Sequence, residues 1–217
     1  MTGQPIDLVI LDMDGTMVDT LPGIAHSVGV AMVAAGLEAP SLEFVRLNIG
    51  GGARNLVRQV LGPQRADQVD DILRAFAEHY DANAEWGTSL YPNVAETLEH
   101  LHSRVKLAVA TAKSRAGTER VIDHLGLGGR FDQVVTMTEM VRPKPDPYCV
   151  ELILGRLGLT PQRTLLVGDT VTDMGTAANA GLRAVAVTYG YGREAILADG
   201  GYRTIDDFGQ LRELGVY

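Results

Sequence analysis

The chain has 217 residues and few of the features that are typical of secreted, membrane or nucleic-acid-binding proteins. Its one cysteine, Cys149, excludes an internal disulfide and is typical of a reducing compartment. No apolar run approaches the ~18 residues that a membrane span needs, and the first ten residues lack a basic, cleavable leader. The formal net charge of −8 lacks the basic excess of nucleic-acid-binding proteins. We therefore expect a cytoplasmic protein with no membrane or nucleic-acid partner, its oligomeric state left open.

Five short runs of branched apolar residues recur along the chain, each bounded by polar residues. Such runs predict buried β-strands, and helical patterns such as NVAETLEHLHS and PYCVELILGRLGL lie between them. Strands that alternate with helices favour an α/β fold, in which a mostly parallel sheet is covered on both faces. The predicted strands are residues 6–11, 105–111, 132–137, 163–169 and 182–188.

One connection is far longer than the others. Residues 20–87 contain helical patterns and no convincing strand, and a connection of this length in a compact domain is rarely a bare loop. We predict a small helical domain over residues 20–87, inserted into a catalytic core made of residues 1–19 and 88–217. The Gly- and Pro-containing stretch GTSLYPNV is expected to return the chain to the core.

Polar and charged residues follow the ends of the predicted strands. Ligands of open α/β sheets bind beyond the carboxyl ends of the strands, so residues from separate segments should meet at one edge. They are Asp12 and Asp14 after the first strand, Thr111 at the end of the second, Lys144 after the third, and Asp169 and Asp173 after the fourth.

Clustered carboxylates repel one another unless a cation neutralises them. Mg²⁺ binds a few protein oxygens and keeps positions for water and a phosphate oxygen. A strand-end aspartate such as Asp12 can attack phosphorus, and Asp14, two residues later, is free to move protons. Gly15 permits a tight turn and close approach to a ligand.

The same edge offers groups that bind a phosphoryl group. Thr111 and the backbone N–H groups beside Ser114, at a predicted helix start, can hold phosphoryl oxygens. The ammonium of Lys144 can offset negative charge on the nucleophile and on the phosphate. These residues predict phosphoryl-transfer chemistry.

In this pattern the chain resembles the haloacid dehalogenase superfamily of phosphatases. Four motifs occur in the family's order, DMDGT, TAK, RPKPDP and GDTVTD, and the resemblance covers nearly the whole chain. It implies a Rossmann-like parallel-sheet core with a small inserted α-helical cap domain, and an aspartyl-phosphate intermediate on Asp12. It also implies that Asp12, the backbone carbonyl of Asp14, and Asp169 hold Mg²⁺, supported by Asp173, while Thr111 and Lys144 bind the phosphoryl group.

One position departs from the resemblance. Close relatives usually have asparagine where this chain has Ala112, so a side-chain hydrogen bond is lost while the backbone N–H remains available to substrate. Asp14 argues against dehalogenase chemistry, because dehalogenases lack an aspartate at this position. Phosphonate-cleaving members and sugar phosphomutases of this cap type use a cap lysine, and this chain has no lysine before Lys106.

The substrate depends on the cap. The stretch NIGGGARNLV resembles the cap loop of phosphoglycolate phosphatases, and VTYGYG resembles their late core loop. The glycines Gly50, Gly51 and Gly52 allow close approach to a leaving group, and Arg54 could pair with a substrate carboxylate. We therefore predict a small phosphate ester as substrate, with 2-phosphoglycolate as the first choice.

Several alternatives stay open at this point. The substrate could be another sugar, nucleotide or specialised-metabolite phosphate, or pyrophosphate, and the fold could be a binding module without activity. Lys113 is interpreted as a solvated or secondary charge, and His26 as a packed or surface histidine. Asp19 is interpreted as a polar residue at the entry to the cap.

Overall fold

The computed structural model describes residues 5–213, and within this range a parallel sheet of six strands forms the centre of the molecule. Its strands, numbered in chain order with an outlying pair included below, run in the spatial order β5-β4-β1-β6-β7-β8, every pair parallel. They are β1 (Leu8–Leu11), β4 (Lys106–Thr111), β5 (Gln133–Thr136), β6 (Thr164–Gly168), β7 (Arg183–Val187) and β8 (Thr204–Ile205). The predicted α/β fold and its five strands are confirmed. The short edge strand β8 was not predicted, since two residues carry no periodic pattern.

Side chains of the central strand alternate between the two faces of the sheet, as a strand's period of two requires. In β1, Val9 and Leu11 enter one apolar cluster, whereas Leu8 and Ile10 enter the other. Helices cover both faces and bury these clusters. They are α5 (Val94–His102), α6 (Arg115–His124), α7 (Tyr148–Leu157), α8 (Val171–Ala180) and α9 (Arg193–Asp199).

A helical insertion separates β1 from β4. The chain leaves and re-enters the core through a two-stranded antiparallel ribbon, β2 (Val18–Asp19) with β3 (Ser89–Leu90). Between these strands lie α1 (Leu21–Ala34), α2 (Leu42–Asn48), α3 (Ala53–Leu61) and α4 (Val69–Asn83). The ribbon places the entry and exit of the insertion side by side, so that both covalent connections to the core lie together.

The insertion has its own apolar interior, continuous with one core cluster. Val28, Val45, Val57 and Phe76, one from each helix, are buried in it. The four helices thereby stack over the carboxyl end of the sheet. Within the described residues no helix combines the length and apolar character needed to cross a bilayer.

Candidate active site

Three carboxylates meet at the carboxyl end of the sheet. Oxygen atoms of Asp12, Asp169 and Asp173 lie within 4.8 Å of one another, and all three side chains are largely buried. The backbone N–H of Asp12 donates to the carbonyl of Val167 at 2.9 Å, which continues the pairing of β1 with β6 and brings Asp12 beside Asp169. The parallel register of adjacent strands thus assembles the cluster.

Asp169 is held by a loop from the end of β7. Its Oδ2 accepts the backbone N–H of Tyr191 at 2.7 Å and that of Gly192 at 3.3 Å, and its Oδ1 accepts the Thr16 hydroxyl at 3.3 Å. A methyl group on Gly15, whose φ is +82°, would lie 2.3 Å from this carboxylate. Glycine at this position lets the loop after β1 pack against Asp169.

Asp173 is fixed by the start of α8. Its Oδ2 accepts the Thr170 backbone N–H at 3.2 Å, and its own N–H donates to the Thr170 hydroxyl oxygen at 3.2 Å, which together form a capping box. The same Oδ2 also accepts the Thr170 hydroxyl at 2.6 Å. Its Oδ1 remains free to accept Lys144 Nζ at 2.8 Å. Asp173 therefore caps its helix and also faces the cluster.

Lys144 bridges two of these carboxylates, since its Nζ also donates to Asp12 Oδ1 at 2.8 Å. Burial, with repulsion from Asp173 and Asp14, raises the pKa of Asp12 to about 7 against the attraction of Lys144. Burial, with repulsion from Asp173 and Asp12, raises the pKa of Asp169 well above its usual range.

The carboxylate cluster thus carries more negative charge than Lys144 neutralises. A hard divalent cation, which prefers carboxylate oxygens, fits this donor set. Asp12, Asp169 and Asp173 are the side chains that could hold it.

Lys113 corrects the sequence interpretation of a solvated charge. Its side chain is 3% exposed, and its Nζ lies 3.1 Å from Asp14 Oδ1 and 4.3 Å above the centre of the Tyr80 ring, while also donating to the Tyr80 hydroxyl. Burial disfavours the charged form, but Asp14 and then Tyr80 outweigh it and raise the pKa of Lys113. Asp14 also accepts the Thr20 hydroxyl at 2.7 Å.

The insertion contacts the core at this point. Ser114, which caps α6, donates its hydroxyl to Asp81 at 2.5 Å. Asp81 and Tyr80 belong to α4 of the insertion, whereas Lys113 and Ser114 follow β4 of the core. The sequence pattern carried no signal for the pairs Lys113–Tyr80 and Ser114–Asp81, because the two residues of each pair are 33 positions apart in the chain.

A cavity of about 310 Å³ lies between the insertion and the carboxyl end of the sheet. Of the predicted site residues, Asp12, Asp14, Thr111, Ala112, Lys144, Asp173, Gly50 and Gly52 line it. Gly15 and Asp169 lie behind this lining, packed against each other. The structure therefore brings the core residues of the prediction together.

Gly51 and Arg54 are not among the residues that line the cavity. The Arg54 guanidinium pairs with Asp70 at 2.7 Å, and its side chain is 55% exposed. The contact of Arg54 with substrate therefore stays a prediction, because in this structure Arg54 pairs with Asp70 and is not part of the cavity lining.

The structure also shows the positions of His26 and Asp19, which the sequence analysis interpreted as a packed or surface histidine and a polar residue at the entry to the cap. His26 is exposed on α1, its ring 4.6 Å from that of Trp86 and 5.3 Å from that of His79. Asp19 accepts the Tyr191 hydroxyl at 2.8 Å, at the entry to the insertion.

Tyr191 is a site residue that motif reasoning missed. Its hydroxyl oxygen accepts the N–H groups of Thr20 at 2.8 Å and Leu21 at 3.0 Å, at the start of α1. The stretch VTYGYG was the available signal, but its contacts depend on the fold.

Comparison with known proteins agrees with this geometry. The model of the haloacid dehalogenase-like hydrolase family matches residues 9–187. The chain belongs to this family. The phosphoglycolate phosphatase of Rhodospirillum rubrum is 34% identical over 94% of the chain and 88% of its own length. That of Pseudomonas putida is 36% identical over 94% of the chain and 78% of its own length.

Solved structures show the same architecture. The crystal structure of a predicted phosphoglycolate phosphatase from Haemophilus somnus superposes with a TM-score of 0.89 at 30% identity. The match covers 96% of this chain and 97% of that one. The predicted family resemblance is thereby confirmed, and the hydrolase is an enzyme of the α/β class.

Proposed function

We propose that the chain is a metal-dependent phosphomonoesterase that works through an aspartyl-phosphate on Asp12. The observation that carries this proposal is the position of the Asp12 carboxylate on the cavity wall, with Lys144 at 2.8 Å and the neighbouring Asp14 lining the same cavity. The complete set of carboxylates and the lysine argue against an inactive binding module.

The residues support a two-step reaction. In the first step the Asp12 carboxylate attacks phosphorus, the ester bond breaks, and Asp14 gives a proton to the departing alkoxide. In the second step Asp14 takes a proton from water, whose oxygen attacks the same phosphorus and displaces Asp12. Inorganic phosphate leaves, and both aspartates return to their starting states.

The phosphoryl group would be oriented by the chain's own donors. Thr111, Ala112 and Ser114, which precede α6, line the same cavity as Lys144 and would supply hydroxyl and backbone N–H donors. Lys144 lowers repulsion between the anionic nucleophile and the anionic phosphate.

We further propose Mg²⁺ as the cation, held by Asp12, Asp169 and Asp173 with the backbone carbonyl of Asp14. Bound there, it would supply positive charge to the phosphoryl oxygens. The set of oxygen donors and the family support this choice.

The proposed substrate is 2-phosphoglycolate, supported by the names of relatives at 34% and 36% identity. The insertion would act as a cap that excludes bulk water from the first step, with the β2–β3 ribbon as its hinge.

The test is hydrolysis of 2-phosphoglycolate, ranked by kcat/KM within a panel of small phosphate esters. We expect turnover with Mg²⁺, none with EDTA, and a loss of at least about 10³-fold in Asp12→Asn, which cannot form the aspartyl-phosphate. Asp132→Asn, at the opposite end of the sheet, is the matched control. Turnover that persists in Asp12→Asn would contradict the proposed nucleophile.

A further inference from the structure

Asp169 is held differently from the other two carboxylates of the cluster. Lys144 donates to Asp12 and to Asp173 at 2.8 Å each, whereas Asp169 has no ion pair within the described residues. Its oxygens accept hydrogen bonds from neutral donors, two backbone N–H groups on Oδ2 and the Thr16 hydroxyl on Oδ1. The orientation of Asp169 therefore depends on the two loops that supply these donors.

The hydrogen bond from Thr16 to Asp169 is long. Its atoms, Oγ1 and Oδ1, are 3.3 Å apart, beyond the range of about 2.5–3.0 Å that is usual for a hydroxyl donor, so a small displacement of Thr16 would break it. Thr16 is fully buried, and its backbone N–H makes a similarly long bond of 3.3 Å to the carbonyl of Met13. The position of Thr16 therefore depends strongly on its remaining backbone polar group, the carbonyl.

Tyr189 binds that carbonyl. Its hydroxyl donates to the Thr16 carbonyl oxygen at 2.7 Å, and its ring lies 4.7 Å from the ring of Tyr91, the residue after β3. Loss of this donor would leave a buried carbonyl without its hydrogen bond, which is costly. Tyr191, two residues later in the same loop, instead binds backbone N–H groups at the start of α1 through its hydroxyl. The hydroxyls of the two tyrosines therefore support different parts of the molecule.

We propose that Tyr189 is a positioning residue for the metal site. Its hydroxyl fixes the Thr16 carbonyl, and Thr16 in turn orients Oδ1 of Asp169, so Tyr189 acts on the affinity for Mg²⁺ without touching the cation or the substrate. Replacing a residue that supports a metal ligand typically changes metal affinity by about 10–100-fold. Tyr189 acts through one more residue, so we expect about threefold to tenfold. This inference rests on the metal-dependent function proposed above and deepens its metal site.

Tyr189→Phe tests this role, because it removes the hydroxyl and keeps the ring against Tyr91. Protein stripped with EDTA is titrated with MgCl₂ at constant ionic strength, and the rise in Tm with Mg²⁺ concentration gives the dissociation constant. We expect this constant to rise about threefold to tenfold in Tyr189→Phe, while kcat for 2-phosphoglycolate at saturating Mg²⁺ stays at the level of the unaltered protein. An unchanged dissociation constant would overturn the proposal.

Tyr191→Phe is the matched control. It is the same substitution in the same loop, but it removes a hydroxyl that binds the insertion, so it should leave the dissociation constant for Mg²⁺ unchanged. A general loosening of the loop would raise the constant equally in both variants, and that result would contradict the specific role of the Tyr189 hydroxyl.

A double-mutant cycle tests the connection through Thr16. Thr16→Val removes the hydroxyl that donates to Asp169 and should raise the dissociation constant for Mg²⁺ more than Tyr189→Phe does. When Thr16 is already valine, Tyr189→Phe should change the constant by less than about twofold, because the two residues act in one chain of contacts. Fully additive effects would refute the connection through Thr16.

Failure of this inference differs from failure of the proposed function. If the unaltered protein hydrolyses 2-phosphoglycolate with Mg²⁺ but Tyr189→Phe binds Mg²⁺ equally well, only the role of Tyr189 is wrong. If Mg²⁺ neither raises the Tm of the unaltered protein nor supports hydrolysis, the proposed metal site and the phosphomonoesterase are refuted together with it.

Discussion

Replacement of Lys113 by methionine should destabilise the protein far more than the same change at Lys106. Methionine keeps much of the apolar stem of lysine and removes the ammonium, so the comparison measures its contacts with Asp14 and Tyr80 together. Lys113 pairs with Asp14 at 3.1 Å, with side chains 3% and 19% exposed. Lys106 pairs with Asp132 at the shorter distance of 2.6 Å, but its side chain is 53% exposed.

The expected magnitudes follow from burial rather than from distance. Removing one partner of a buried ion pair costs about 3–5 kcal/mol, because the other charge is left without compensation. Asp14 is partly exposed and keeps the Thr20 hydroxyl at 2.7 Å, so we expect a smaller loss, about 2 kcal/mol, in the range of a hydrogen bond to a charged group. An exposed pair such as Lys106–Asp132 contributes about 0–1 kcal/mol.

Thermal unfolding checks both values. A loss of 1 kcal/mol lowers the Tm of a chain of this size by about 2–4 °C, so Lys113→Met should lower it by about 4–8 °C and Lys106→Met by less than about 4 °C. Urea unfolding at constant m-value should give the same order. If the two variants lost equal stability, the inference that Lys113 stabilises a buried contact between core and insertion would be refuted.

Tyr191→Phe removes the hydroxyl that binds Thr20 and Leu21 but keeps the backbone N–H that donates to Asp169. We therefore expect kcat/KM to fall several-fold, while the Mg²⁺ concentration for half-maximal activity stays constant. Tyr202→Phe, on the surface, is the control. In EDTA, the pKa of Asp12 in the folded protein is about 7, against about 3.9 when unfolded. The folded state therefore binds this proton more tightly, and stability should fall as pH rises from about 4 to 7, seen as a lower Tm at pH 8 than at pH 5.5. Asp12→Asn should reduce that slope, and the remainder should come from Asp169, whose pKa is also raised by burial and by Asp173. Thr170→Ala breaks the capping box on Asp173 and should cost about 1 kcal/mol in urea unfolding; no loss would show that the cap contributes little.

Sequence reasoning succeeded where a short local pattern determines position. The apolar runs predicted β1 and β4–β7, and the rule that parallel strands present their carboxyl ends at one edge predicted that Asp12, Thr111 and Asp169 would converge. The observed register of β1 with β4 and β6 shows why, since each of these residues lies at or just beyond the end of its strand.

It failed where a residue's role depends on a distant partner. Lys113 is buried because Tyr80, on α4 of the insertion, covers it, and no local pattern encodes how α4 packs on the core. The same limit applies to Arg54: its contact with substrate, predicted from its place after three glycines, stays a prediction, and in the structure Arg54 pairs with Asp70. Direction around a helix axis, unlike position along it, is set by tertiary packing.

The insertion is linked to the carboxylates of the candidate site at two separate points, and the two have different consequences. At the ribbon, Tyr191 alone links the start of α1 to Asp169. Its hydroxyl accepts the N–H groups of Thr20 and Leu21, and its own backbone N–H donates to Asp169. At the cavity, Tyr80 and Asp81 bind Lys113 and Ser114, and Lys113 holds Asp14.

If the insertion opens by rotation about the ribbon, the contacts of Tyr191 lie near the axis and can persist, whereas those of Tyr80 and Asp81 must break. We infer that opening leaves Asp169 in place but removes the support of Lys113 against Asp14, so that the proton-transfer group is fully positioned only in the closed state. Lys113→Met should then lower kcat, because it disturbs the closed state, whereas Tyr191→Phe should act mainly on KM through the hinge. Equal effects of both variants on kcat and KM would contradict this division of roles.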